Sequence, residues 1–227
     1  MQRRQNAPWP GSALGWLIGA SGALAIDLTL LVSSASAAGP AGVKLDGTLG
    51  ASAVALAGPT FNITQGLGQL AGGNLFFSFQ YFNIATGQTA LFSTTSHGIG
   101  NVISRVTGGY ASNIDGTIRL MAASGAPNFY FINPNGVTFS ATAVVDVPAS
   151  FLVTTANYLK FPDGRFYADP TQTSTLSVAA PEAFGFLGST RESVIVDGAA
   201  LSAGTAGAGA FQIVAISRMY CLKPAGS

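Results

Sequence analysis

Short apolar stretches alternate with turn-forming clusters along most of the chain, and no amphipathic helix is legible beyond Gly39. Runs rich in Val, Ile, Phe and Thr, bounded by Gly, Asn, Asp or Pro, predict strands. They fall at Leu75–Phe79, Ala90–Phe92, Val102–Val106, Thr117–Met121, Phe129–Ile132, Val137–Phe139, Phe151–Thr155 and Phe211–Ile216. Short strands at such regular spacing predict an all-β sandwich, barrel or β-helix. Within the aromatic run, strand alternation puts Phe77, Phe79 and Tyr81 on one face and Phe76, Ser78, Gln80 and Phe82 on the other. The first set is expected in the core.

An internal echo bears on the choice of architecture. Asn113-Ile114-Asp115-Gly116 and Asn133-Pro134-Asn135-Gly136 both read Asn-x-[Asp/Asn]-Gly, and each precedes a strand-like run. Weaker relatives occur at Asp46-Gly47, Asp163-Gly164 and Asp197-Gly198. Turns recurring at a period of about 20 residues or more are a signature of solenoids, whose stacked coils bury a continuous apolar core. On pattern alone, a β-helix and a sandwich both remain open. Locally, Pro134 presets φ for the first inner position of a turn, while Asn and Gly accept the remaining angles, so Asn133–Gly136 is expected as a β-turn between strands.

The first residues carry a different signal. Arg3 and Arg4 precede an apolar stretch from about Ser12 to Val32, and Ala35-Ser36-Ala37 follows. A basic start, an apolar middle and a small-residue exit make residues 1–38 an expected secretory signal, cleaved near Ala37 or Ala38. A retained membrane anchor is the competing reading. Asp27 and the Gly and Ser residues that dilute the stretch count against it.

Composition narrows the function classes. Charged residues make up 8% of the chain, against about 25% in ordinary soluble domains. Ten Lys and Arg stand against nine Asp and Glu, which gives no basic field for nucleic acid. One Cys and one His exclude a disulfide framework and a His/Cys zinc cage. Gly66-Leu-Gly-Gln-Leu-Ala71 fits a dinucleotide-binding spacing but lacks both a following helix and an acidic partner about 20 residues on. His97 is expected as a solvated turn residue, and Cys221 as a spare thiol. The acidic residues are scattered, and Asp46, Asp115, Asp163 and Asp197 all fit turn chemistry. No catalytic residue, cofactor or metal is predicted.

Several segments, taken in order, resemble the N-terminal secretion domain of filamentous haemagglutinin-like exoproteins. They are Asp46–Leu49, Asn74–Ile84, Gly87–Ala90, Ile103–Gly109, Ser112–Gly116, Phe131–Phe139, Ser150–Ala156 and Ala180–Phe186, covering about Lys44 to Gly188. The resemblance implies a right-handed parallel β-helix with an N-terminal cap and extra-helical β-hairpins. It implies a secreted or cell-surface exoprotein of a Gram-negative bacterium, passed through an outer-membrane transporter barrel whose POTRA domains bind the extended chain. Asn133, Pro134, Asn135 and Gly136 match the family's secretion motif, with Asn113 to Gly116 as a secondary turn motif. The chain departs from the family in carrying Phe77 where many relatives have His, and in lacking a second Asn-Pro-Asn-Leu.

The expected organisation is therefore a signal over 1–38 and a secretion and haemagglutination-activity domain over 39–227, truncated at its C-terminal end. Contact with host-cell or surface glycans is expected from the missing region. Substituting Asn133 or Asn135 is expected to cut export while hardly altering the fold. The alternative function is a free-standing β-helical polysaccharide lyase or glycosidase.

Overall fold

The computed structural model describes residues 39–188, 192–199, 201, 209–214 and 220–222, and here the backbone is strand and turn apart from one 3₁₀ turn at Gln65–Leu67. The strands are β1 (Gly42–Leu45), β2 (Thr60–Thr64), β3 (Gln69–Ala71), β4 (Asn74–Asn83), β5 (Thr89–Ser93) and β6 (Asn101–Val106). Then come β7 (Ser112–Ile114), β8 (Thr117–Met121), β9 (Asn128–Ile132), β10 (Val137–Phe139), β11 (Val144–Asp146) and β12 (Phe151–Thr154). The last six are β13 (Tyr158–Phe161), β14 (Gly164–Tyr167), β15 (Ala183–Gly185), β16 (Val194–Asp197), β17 (Phe211–Val214) and β18 (Tyr220–Leu222). The expected export signal at 1–38 lies outside the described residues. So does the end of the predicted strand Phe211–Ile216, of which β17 is described.

Three ladders share the winding of the chain. The first runs β1-β4-β6-β9-β12-β17, the second β18-β16-β10-β7 and the third β11-β8-β5-β2. The chain passes from β6 to β7 to β8, then from β9 to β10 to β11, and each strand pairs in parallel with the strand one coil later. This is a β-solenoid, and it settles the choice that pattern left open. Each predicted strand overlaps an observed one, β17 covering the described part of Phe211–Ile216, whereas the three-residue strands β7 and β11 are not among those predicted.

The coil length differs from the echo read in the sequence. Thr60 stands beside Thr89 and Phe129 beside Phe151, so a coil takes 22 to 29 residues, except the one after β12, where Phe151 stands beside Phe211. Asn113 pairs with Thr138, not with Asn133. The 20-residue spacing of the two tetrapeptides is therefore not the structural repeat.

The repeat lies elsewhere. Asn74, Asn101 and Asn128 open successive strands of the first ladder, 27 residues apart, and stand side by side. The Asn101 amide donates to Asn74 Oδ1 at 2.8 Å, and the Asn128 amide donates to Asn101 Oδ1 at 3.3 Å. Stacked amides of this kind satisfy each other where a side chain at the corner would otherwise compete with backbone groups.

Inside the coils, Phe77, Phe79, Phe82, Phe92, Phe129, Phe131, Phe139 and Phe151 are fully buried. Phe92 makes edge contacts with Phe77, Phe79 and Phe129, at centroid distances of 5.4, 6.2 and 4.7 Å. Aromatic edges of this kind add about 0.5–1.5 kcal/mol per pair beyond burial. The expected face assignment holds only as far as Phe79. Leu45 pairs with Phe79 and Lys44 with Tyr81, which leaves Gln80 as an extra residue in β4. This bulge resets the pleat, turning Tyr81 outward and Phe82 into the core.

Phe76 is buried on the opposite face. With Ile103 and Ile132 it packs under an antiparallel sheet of β14-β13-β15, which contributes Leu159, Phe161 and Phe166. Strands β4, β6 and β9 are thus covered on both faces, which is why β4 reads as one continuous apolar run. At the N-terminal end, β1 and β3 pair antiparallel with β4 and cover its free edge. We call the segment around β1 the cap and β13–β15 the outer sheet.

Candidate functional site

The Asn133–Gly136 corner joins β9 to β10. Its closing hydrogen bond runs from the Gly136 amide to the Asn133 carbonyl at 3.1 Å, and Gly136 has φ of +101°. That backbone angle suits glycine, since any Cβ is strained there. Pro134 and Asn135 are half-buried, while Asn133 and Gly136 are buried.

The Asn133 side chain is fully engaged. Its amide donates to the Tyr110 carbonyl and to Ser112 Oγ, each at 2.9 Å. Its oxygen accepts from the Asn135 backbone amide at 3.0 Å and from the Asn135 side-chain amide at 3.3 Å. Gly136 in turn accepts from the Ser112 amide at 3.0 Å. The motif is therefore an Asx turn bolted to the coil before it. This corrects the expectation that Asn133 is dispensable for the fold, because removing it orphans a half-buried carbonyl, a buried hydroxyl and an amide. Asn135 carries far less of that load.

The outer part of the corner borders a cavity of about 220 Å³. Pro134 and Asn135 form one wall, Val106 and Thr107 a second, and Asn157, Asp169 and Pro170 a third. The motif thus meets the segments that lead into and out of the outer sheet.

The second tetrapeptide divides. Asn113 and Ile114 belong to β7, and only Asp115 and Gly116 turn the chain toward β8. The Asp115 and Gly116 amides both donate to the Ile84 carbonyl, at 2.7 and 3.2 Å. A Cβ on Gly116 would lie 2.4 Å from the Gln88 carbonyl oxygen, so backbone packs where any other side chain would begin. Asn113 and Asp115 line a separate cavity of about 190 Å³ with Asn83 and Gln88. The two tetrapeptides therefore occupy different corners and share no site.

Sequence reasoning missed a polar cluster centred on Arg105, which is 3% exposed. Its Nε donates to Ser78 Oγ at 2.7 Å, one terminal nitrogen donates to the Tyr167 carbonyl at 2.5 Å and to Ser174 Oγ at 3.2 Å, and the other donates to Thr48 Oγ1 at 2.9 Å. The guanidinium also lies 4.6 Å over the Phe166 ring. Asp46 faces the same hydroxyls, accepting from Ser78 at 2.6 Å, from Thr107 at 2.8 Å and from Thr48 at 2.8 Å. Burial alone would raise the Asp46 carboxyl, but hydrogen bonds from Ser78, Thr48 and Thr107 outweigh it and hold it below its ordinary value. Burial lowers the Arg105 guanidinium, with Asp46 and Asp169 opposing. Asp46 also makes the turn expected of it, accepting from the Thr48 amide at 2.9 Å. The only sequence signal of its larger role was an Arg inside an otherwise apolar strand.

The remaining candidates stay apart. His97 is exposed in a turn, and the segment 66–71 forms part of a 3₁₀ turn and β3. Cys221 lies in β18. Asp163 turns the β13–β14 hairpin, and Asp197 ends β16. Among the described residues no three His, Cys, Asp or Glu side chains gather as metal ligands would.

Comparison with known proteins gives one match. The family model of the TPS secretion domain matches residues 41–217, most of the chain. No curated protein and no solved structure matches.

Proposed function

Since this chain belongs to the TPS secretion domain family, the N-terminal module of two-partner secretion exoproteins, we propose that its outer-membrane transporter reads the Asn133–Gly136 corner while the chain is still extended. A two-partner system of a Gram-negative cell pairs such a module with a dedicated transporter, and secretion is the role the family carries.

The observation that carries the reading is the saturation of Asn133. Its four hydrogen bonds and its burial leave nothing of that side chain for a partner in the folded coil. A transporter that uses it must meet it before the corner closes. On this reading, POTRA domains take up the extended segment by adding a strand, with main-chain hydrogen bonds for affinity and side-chain pockets for register. Closure of the corner then withdraws Asn133, and coil formation at the cell surface favours outward movement. We assign adhesion, and any contact with host-cell or surface glycans, to the exoprotein as a whole.

The test compares export with binding. Asn135→Ala is expected to lower the exported fraction severalfold with only a small shift in the urea midpoint of purified protein. Purified POTRA domains are expected to capture chain freshly diluted from urea and to ignore refolded chain. Export of Asn135→Ala at the parental level, or equal capture of both forms, sinks the assignment.

A further inference from the structure

The parallel ladders do not connect the cap to the outer sheet. The cap is attached through β1 to β4, and the outer sheet lies against the outward face of β4, β6 and β9. Arg105, on β6, is where the two meet. Thr48 and Asp46 approach it from the cap, Tyr167, Ser174 and the Phe166 ring from the outer sheet and the loop that follows it, and Ser78 from β4 between them.

We infer that Arg105 is a latch, so that the cap and the outer sheet open and close as one unit. A buried guanidinium tolerates its position only while its donors are paired and a counter-charge is near. If the outer sheet lifts, one face of Arg105 meets water, the long side chain follows the solvent, and Ser78 and Thr48 lose the cation they turn toward. Asp46 is then left on hydroxyls alone. If the cap lifts instead, the charge stays under the outer sheet without Thr48 and without Asp46. Either partial opening strips a charge of part of its compensation, since Asp169 alone then stays near Arg105 when the cap lifts, and opening both together relieves it. Leu49 of the cap also packs against the apolar cluster under the outer sheet, which supplies a second and purely apolar route between the two parts.

Hydrogen exchange of the purified full chain distinguishes these routes. Cap opening is read at the Leu45 and Leu56 amides, which donate to the Val54 and Val43 carbonyls. Outer-sheet opening is read at the Ala168 and Thr175 amides, which donate to the Asn157 and Arg165 carbonyls. Thr48→Val alters only the cap side, and it is expected to speed exchange about tenfold at Ala168 and Thr175 as well as in the cap. Ser174→Ala alters only the outer side and is expected to speed exchange at Leu45 and Leu56. In an Arg105→Met background these cross-effects are expected to vanish. Effects confined to the mutated side in both single variants overturn the proposal, as do cross-effects that survive in Arg105→Met, which assign the coupling to Leu49. If Arg105→Met does not fold, Arg105→Lys takes its place. A lysine cannot reach Thr48 and the Tyr167 carbonyl together in the same fork, so the same loss of cross-effect is expected.

Discussion

Asp46 and Arg105 are joined through two hydroxyls: Ser78 and Thr48 each accept from the guanidinium and donate to the carboxylate. The charges are thereby held near each other by residues from the cap and from β4, and neither relies on a direct ion pair.

The acid dependence of stability follows from the Asp46 carboxyl. Its folded-state value is depressed, so its contribution is fully present above the ordinary value of 3.8 and is lost as pH falls through the lower folded value. Asp46→Asn is expected to cost about 1–2 kcal/mol at pH 7, allowing for partial solvent screening, and progressively less below pH 3.8. Urea midpoints of parent and variant should converge on acidification. A gap that stays constant with pH contradicts this account.

The two asparagines of the corner should separate in thermodynamic measurements. Asn133→Ala is expected to cost about 2–4 kcal/mol, because it strands the Tyr110 carbonyl, the Ser112 hydroxyl and the Asn135 amide. Asn135→Ala is expected to cost less than about 1 kcal/mol. Equal losses in chemical denaturation would mean that the Asx turn does not hold the corner.

The amide ladder makes a prediction about a distant segment. Asn74, at the end of the ladder, also donates to the Ser177 and Ala179 carbonyls, at 2.9 and 2.6 Å. Asn74→Ala is expected to lower stability by about 2–3 kcal/mol. It should also open the chain near residue 178 to limited proteolysis, at a site more than one hundred positions from the change. An unchanged digestion pattern argues against the clamp.

The bulge at Gln80 is tested by its neighbours. Phe82→Ser is expected to cost about 3–5 kcal/mol, as for truncation of a buried aromatic, and Tyr81→Ser less than about 1 kcal/mol. Simple alternation from Phe77 predicts the reverse order, so calorimetry of the two variants decides between the registers.

Strand positions were legible because apolar runs such as Phe129–Ile132 and Phe151–Thr154 are bounded by turn residues and are long enough to declare themselves. Stacking was harder to read. The Asn-x-[Asp/Asn]-Gly echo attracted notice by similarity of type, yet only Asn133 sits at the head of its turn. The true repeat, Asn74, Asn101 and Asn128, is one residue per coil and depends on amides meeting across strands, a relationship that local sequence does not express. The face of Phe82 escapes simple alternation because the bulge is set by pairing with Lys44 and Leu45 of β1, far away in sequence. The role of Arg105 is not expressed locally, because its partners Thr48, Ser78, Tyr167 and Ser174 come from segments that only the folded chain assembles.

The coils differ in how much chain they can absorb. Between Asn74 and Asn128 each turn takes 27 residues, and the asparagines that open β4, β6 and β9 must stay in step for their amides to meet. Between β12 and β16 there is no such metre, and the outer sheet is looped out there without disturbing the parallel stack. Foreign peptides grafted into this scaffold should accordingly be accommodated at the β13–β14 hairpin, around Asp163, and rejected at the strand starts that carry Asn74, Asn101 and Asn128.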